Sequence, residues 1–532
     1  LKNADKYKNN VAFQMKGKDG KYRQWSYAEA QSTAAALAGC LQAGGVASGD
    51  HVALLSENRP EWPISYLAIV SLGAAVVPLD IMLKREDIQT LLNQCQPKAI
   101  ITSARARDEI GSELVSLEIK MEEFGALSAG AAPSSYPPVE EDDLAALIYT
   151  SGTTGVPKGV MLSHGNIMSN VISLTKHFAQ DIKPEDNFLS VLPLNHTFEC
   201  TGGFLFPFYN GARVTYAESL IPDHILANLR ETRASVMLGV PLLYDRFFES
   251  VRREAHKKGR IMAAVFRGLM AISRFLPDQS IRRVLFSMVH KKLGGKIKMW
   301  LSGAAAIDLR VLEGLGLFGI PVYQGYGMTE ASPVITCNSP RQDRIGSVGP
   351  ALPGVEVRIE AASSEVIVRG PNVMKGYYQR PDLTAGIIRD GWLHTGDVGY
   401  LNRDGFLFVT GRMKDVITTS SGMKVYPEDL EIEFNRIDGI KEVCAMGVRT
   451  KKGSMGEDVG LVIVPDVQYF EEKGVIDKDM IERIIKKEVS IKNAGLQLHA
   501  RVARLRFRYQ DLPKTTTRKI KRSQLKKEIE EA

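Results

Sequence analysis

Cysteine is scarce and scattered in this sequence. Five residues (Cys40, Cys95, Cys200, Cys337, Cys444) in 532 leave an odd total and no C-x-x-C pair. That argues against a disulfide framework and against a zinc ribbon, so they read as buried, reduced thiols of a cytoplasmic protein. Long apolar runs are missing as well. The longest charge-free stretch, Trp62 to Leu79, is broken by Pro63, Gly73 and Pro78 and predicts a buried helix followed by a strand, not a membrane span. No internal repeat is present, which excludes a solenoid, and no basic-then-apolar leader pattern opens the sequence. What remains is an ordinary globular composition, 44% hydrophobic and 24% charged, at a length that predicts two to four domains.

Net charge is +7, and its distribution matters more than its size. From Val251 to Lys298 there are thirteen Lys and Arg against two acids, Glu254 and Asp278, so the block carries +11 and the rest of the chain −4. Basic residues alternate there with apolar clusters such as IMAAVF and VLFSMV. The pattern suits amphipathic helices lying on an anionic membrane, which would make the protein peripheral on the inner face of that membrane. The plainer reading is a pair of solvated surface helices. Nothing in the sequence calls for a nucleic-acid partner.

The first 240 residues alternate helical and strand patterns. Ser26 and Glu29 form a capping-box pattern ahead of an alanine-rich helix, and the strands VALL, AAVVPL and AIIT follow with helical sequence between them. Such alternation predicts an α/β fold of mostly parallel sheets with helices on their faces. Around 342–410 short strands with glycine and proline turns predict a small β-barrel. After Gly411 a separate α+β piece begins, with strands VCAMGV, VGLVIV and VARLRF and a helix around DMIERIIKKEV.

The most informative stretch is Tyr149 to Val160, YTSGTTGVPKGV. It sets Ser151, Gly152, Thr153, Thr154 and Gly155 in a row after a strand-like LAALIYT and follows them with Lys158. Glycines let backbone approach a ligand closely. Amide and hydroxyl donors then converge on an anion, and the lysine adds a point charge. The segment is no Walker A loop, because Pro157 and Gly159 flank the lysine where glycine and a hydroxyl residue belong. It reads as a phosphate loop of another kind.

Further motifs follow in order: LPLNHTFE (192–199), WLSGAAA (300–306), YQGYGMTE (323–330), GWLHTGDVG (391–399), GRMKD (411–415) and PKTTTRK (513–519). Together they resemble the adenylate-forming superfamily over essentially the whole chain. The stretches YNGARVTYAES, VPLLYDRFFESV and LGGKIKMWLSGAAAI look most like its long-chain fatty acyl-CoA synthetases. The resemblance implies a large N-terminal domain over 1–411, a hinge at 412–415 containing Lys414, and a smaller mobile domain over 416–532. It implies activation of a medium- or long-chain fatty acid by ATP and Mg2+ to an acyl-adenylate with release of pyrophosphate. Coenzyme A would then displace AMP to give the thioester.

A carboxylate attacking a phosphate is anion meeting anion, so charge neutralisation and positioning must carry catalysis. By the resemblance, Lys519 would bridge carboxylate and phosphate, and Thr150, Ser151, Gly152, Thr153, Thr154, Gly155 and Lys158 would hold the β and γ phosphates. Glu330, with Thr150, would bind Mg2+, and Thr329 would bond the α-phosphate. Tyr326 would stack on adenine, lined by Gly303, Ala304 and Gln324, while Asp397 and Arg412 would take the ribose. Gly422 and Lys424 match the segment lining the CoA tunnel. His196 borders the acyl site of relatives, and Gly327 stands where acetyl-CoA synthetases carry a tryptophan that closes the pocket. One departure is Arg518, where the superfamily usually has glycine before the catalytic lysine. Adenylation with transfer to a carrier-protein thiol, or of an aryl acid, is the competing expectation.

Overall fold

The computed structural model describes every residue except 1–4, 108–116, 128–131, 134, 151–156, 258, 420–422, 449–455, 515–519 and 531–532. The chain divides into two compact units. The first comprises 1–357, 368–393 and 403–407, the second 358–367, 394–402 and 408–532.

Two twisted sheets build the first unit. In one, strands run in the order 376–377, 158–163, 144–150, 75–79, 51–55, 99–102, 118–120. From Leu144–Thr150 through Glu118–Lys120 all pairings are parallel. Val52–Leu55 and Ala75–Leu79 are apolar throughout and buried, as strands covered on both faces must be. The charge-free stretch resolves into the helix Glu61–Ser71 and the strand Ala75–Leu79, both largely buried. The other sheet has eight strands in the order 334–337, 322–327, 299–302, 236–239, 187–190, 213–216, 11–16, 22–26, parallel except for its two outermost pairs. Trp300, Tyr244, Phe248 and Phe318 pack beneath it, with Tyr244 and Trp300 stacked at 5.2 Å. Each such side chain contributes about 2 kcal/mol or more when fully buried. The helix Tyr27–Ala43 begins at the expected capping box. Ser26 accepts from Glu29 N while Glu29 Oε2 accepts from Ser26 N.

The strands of 342–410 do not close into a barrel. Glu356–Ile359, Glu365–Arg369, Trp392–Leu401 and Ile388–Arg389 follow one another in an open sheet, with Leu407–Arg412 also on Trp392–Leu401. Short strands with glycine turns are common to both arrangements. Closure needs the first and last strands to pair, and here they do not.

In the second unit, Ile440–Val448 and Asp458–Pro465 pair antiparallel, and Val502–Phe507 joins the latter in parallel. The helix Lys478–Ala494 turns Ile481, Ile485 and Val489 inward at the four-residue spacing of one helical face. Behind the sheet, Arg522 reaches Glu431 at 2.6 Å, Glu428 at 3.2 Å and Asp415 at 3.7 Å. All five cysteines are free, and four of them are buried.

Candidate nucleotide and acyl site

In the first unit the site starts from a hairpin. Leu144–Thr150 and Lys158–Ser163 pair antiparallel with Thr150 opposite Lys158 and Tyr149 opposite Gly159. Lys158 therefore sits on the sheet itself, and Thr150 Oγ1 lies 3.5 Å from its carbonyl. Packing at Gly159 is close, since a Cβ there would meet the end of the Leu147 side chain at 2.9 Å and the Tyr378 Cβ at 3.2 Å. Ser151, Gly152, Thr153, Thr154 and Gly155 lie outside the described residues.

A short strand, Gly376–Tyr377, pairs with Val160 and Met161 on the open side of the hairpin. It brings Tyr377 between two of the expected site residues. Lys158 Nζ lies 5.3 Å from the ring centroid, and the phenol donates to Glu330 Oε1 at 2.8 Å. Burial, reinforced by the Glu330 carboxylate, pushes the Tyr377 hydroxyl well above its ordinary pKa, so it stays a donor at any working pH. Glu330 is buried on the 3-10 turn Thr329–Ala331, which Met374 N holds by bonding the Glu330 carbonyl at 2.9 Å. Sequence reasoning missed Tyr377, whose only signal was its place in a GYY triplet.

The segment 192–199 approaches the same turn. Thr197 Oγ1 is 3.4 Å from Thr329 Oγ1, and Phe198 packs on Gly303 so tightly that a Cβ there would fall 2.9 Å from the ring. Asn58, also missed, braces this segment by donating to the Leu192 carbonyl at 2.6 Å and accepting from Leu194 N at 2.9 Å. His196 is half-buried at the start of the helical turn Thr197–Glu199. Ala304, next to Gly303, adopts a left-handed φ of 71°, uncommon for a residue with a Cβ. Gln324 is buried and donates to the Ser347 carbonyl at 3.0 Å, a carbonyl shared with Asn338. Tyr326 is half-buried opposite Thr336. At Gly327 an added Cβ would lie 1.9 Å from the Pro333 carbonyl oxygen, so the backbone itself excludes any side chain there.

Glu199 closes the motif and points into the core. It is fully buried, and neither carboxyl oxygen makes a hydrogen bond of normal geometry among the described residues. Burial pushes its pKa up to about 8, with the Ser190 hydroxyl pulling the other way. The next six residues, Cys200–Leu205, form a π-turn, a rare geometry that recurs at functional sites.

In the second unit Asp397 is buried and pairs with Arg412, Nε to Oδ1 at 3.1 Å. Met413 N bonds the Gly396 carbonyl at 2.9 Å and holds the two strands together there. Lys414 is partly buried, which lowers its ammonium pKa against the pull of Asp415. Lys424 lies on the two-residue strand Lys424–Val425, opposite Thr418. Gly422 and Lys519 fall outside the described residues. On either side of the latter's segment, Lys514 and Ile520 form an antiparallel bridge.

Mostly parallel α/β sheets, a lysine-bearing hairpin beside a buried carboxylate and threonines, and a second α+β unit together make the architecture of adenylate-forming enzymes. ATP-bound MatB from Rhodopseudomonas palustris shares it at a TM-score of 0.77 and 27% identity, over 98% of this chain and 96% of that one. Residues 1–378 match the AMP-binding enzyme family, and the chain belongs to that family. Among curated relatives, fatty acyl-CoA synthetase A of Dictyostelium discoideum is 29% identical over 86% of this chain and 74% of its own length. Feruloyl-CoA synthase of an Amycolatopsis species is 30% identical over 83% of each.

Proposed function

We propose that the protein activates a medium- or long-chain fatty acid with ATP, releasing pyrophosphate, and transfers the acyl group from the adenylate to coenzyme A. The observation that carries this reading is the Lys158–Tyr377–Glu330 array, which puts a fixed positive charge and a buried carboxylate on two sides of one phenol. Glu330 with Thr150 offers the all-oxygen donor set that Mg2+ prefers. When bound, that ion would supply charge neutralisation for the triphosphate. Lys158 holds the β and γ phosphates through its Nζ, with the hydroxyl-rich residues 151–155 before it. Thr329 bonds the α-phosphate, steadied by Thr197. Tyr326, Gly303, Ala304 and Gln324 take the adenine, and Asp397 accepts from the ribose hydroxyls with Arg412 fixing its carboxylate. Lys519, carried on the 416–532 domain beyond the 412–415 hinge and Lys414, neutralises the attacking carboxylate. Gly422 and Lys424 serve the CoA step.

Fatty-acid preference is supported by the name of the Dictyostelium relative and by the segment 196–198 beside Gly303, where His196 and Phe198 would border the chain. Each buried methylene adds about 0.8 kcal/mol, so chain length is a steep reporter of the pocket. An aryl-acid reading draws on the feruloyl-CoA synthase relative. The deciding experiment measures ATP-dependent AMP release with saturated fatty acids of graded length and with aryl acids, each with and without CoA. A rise with chain length and dependence on CoA are expected. Turnover of aryl acids alone would replace the fatty-acid reading, and no AMP from any acid would end the ligase reading.

A further inference from the structure

The basic block at 251–298 supplies none of the residues placed in the site, although Arg274, Gln279 and Arg282 line a cavity that also touches Gln324. Its central helix, Arg260–Arg274, is apolar on two faces. The inner face is accounted for. Ala263 is buried, Phe266 packs against Phe286 and Phe318, and Ser273 Oγ donates to the Leu317 carbonyl at 2.6 Å. The outer face is not. Ile261, Val265, Ile272 and Phe275 recur at i, i+4, i+11 and i+14, one stripe of a 3.6-residue helix. They are 83%, 49%, 53% and 87% exposed. Phe275 is the helix C-cap and keeps αR geometry, so the stripe runs the full length of the helix.

Beside it runs a second stripe. Arg260, Arg267 and Arg274 are spaced by seven and all exposed. The block's two acids are engaged elsewhere, Glu254 with Lys292 at 2.5 Å and Asp278 with Ser280 N at its own helix start. Ile281, Val284 and Met288 on the following helices are exposed as well.

We infer that this face is a docking surface for an anionic lipid bilayer, with the helix Arg260–Arg274 lying in the plane of the interface. A line of large apolar side chains is unusual on a surface that meets only water. The apolar stripe needs hydrocarbon and the arginine stripe beside it needs negative charge, and the headgroup–acyl boundary of an anionic leaflet offers both at that spacing. No helix among the described residues is long and apolar enough to cross a membrane, so the contact is lateral. The inference does not rest on the ligase reading, and its test has no catalytic readout.

The test is flotation of the full chain with vesicles of phosphatidylcholine alone or mixed with phosphatidylglycerol. The unmodified chain is expected to float with the anionic vesicles. Replacing Arg260, Arg267 and Arg274 by Gln should cut partitioning onto them about a hundredfold, at about fivefold per arginine. The Ile261→Ser, Phe275→Ser pair should abolish flotation while leaving the melting temperature unchanged. Should that pair fold poorly, Phe275→Trp supplies a second readout, since the four native tryptophans are buried. Its fluorescence should be quenched by brominated lipid. Failure of the unmodified chain to float, flotation that survives the serine pair, or a tryptophan that brominated lipid does not quench would overturn the inference. So would a dimer in sedimentation velocity that the serine pair dissociates, which would assign the stripe to a second copy of the chain.

Discussion

Removing the phenol oxygen of Tyr377 isolates the array on which the functional reading depends. Tyr377→Phe keeps the ring, its packing, and the approach of Lys158 Nζ to the ring face at 5.3 Å. It deletes the 2.8 Å bond to Glu330 Oε1 and leaves a buried carboxylate oxygen without that donor. A hydrogen bond to a charged group contributes about 1.5–3 kcal/mol, and each 1.4 kcal/mol is tenfold in an equilibrium or a rate. The substitution should therefore cost about 10- to 100-fold in adenylation, read as ATP–pyrophosphate exchange. Because Glu330 is the proposed metal carboxylate, the loss should fall on the Mg2+ dependence, raising the Mg2+ concentration needed for half-maximal exchange more than it raises KM for ATP. A double-mutant cycle with Glu330→Gln adds a sharper criterion. The two changes should be non-additive by about the energy of the lost bond. A variant whose Mg2+ curve overlays that of the parent, or a strictly additive cycle, would refute the array as a functional unit.

Two further outcomes are expected. Burial raises the Glu199 carboxyl from an ordinary 4.5 to about 8, so between those values the folded chain holds a proton that the unfolded chain has lost. Stability should then fall as pH rises through that window, at about 1.4 kcal/mol per pH unit. Glu199→Gln should flatten the slope, so that its melting temperature gains on the parent's from about pH 5 to pH 8. Parallel melting curves would show that the carboxyl titrates normally. Gly327→Ala forces a Cβ to within 1.9 Å of the Pro333 carbonyl oxygen and should destabilise by about 1–3 kcal/mol, seen as a lower denaturation midpoint. An unperturbed midpoint would mean that the Thr329–Val334 turn yields easily, and a bulky residue at 327 could then serve as a probe of chain-length selection.

Much of the fold was written in local pattern. The strands around Val52, Ala75 and Ala99 and the C-terminal strands fall where β-branched and small apolar runs place them, and Ser26 caps its helix through Glu29 as the spacing requires. Sheet closure was not legible, because whether Glu356–Ile359 meets a distant edge strand depends on long-range pairing. Nor was Tyr377, since a two-residue strand leaves no periodicity and its partner Glu330 is 47 positions away. Glu199 was visible only as the last letter of a motif, and nothing local reveals that it faces the core. The sequence expectation at Gly327 is an acyl pocket without the tryptophan that closes it. The structure adds that backbone crowding alone demands glycine there.

The pairing of Thr150 with Lys158 also bears on how this region can change over evolutionary time. The lysine belongs to a ladder, and its register is fixed by the alternation of Val160 and Leu162, both buried, along Lys158–Ser163. Insertions or deletions among the residues between Thr150 and Lys158 leave the lysine's place in the ladder unchanged. A one-residue deletion inside Lys158–Ser163 has the opposite effect and turns every side chain of the strand to the other face. Length variation between lineages should therefore collect before the lysine and be purged after it. A segment grafted from a distant relative at 151–157 would join a lysine whose register the ladder already sets.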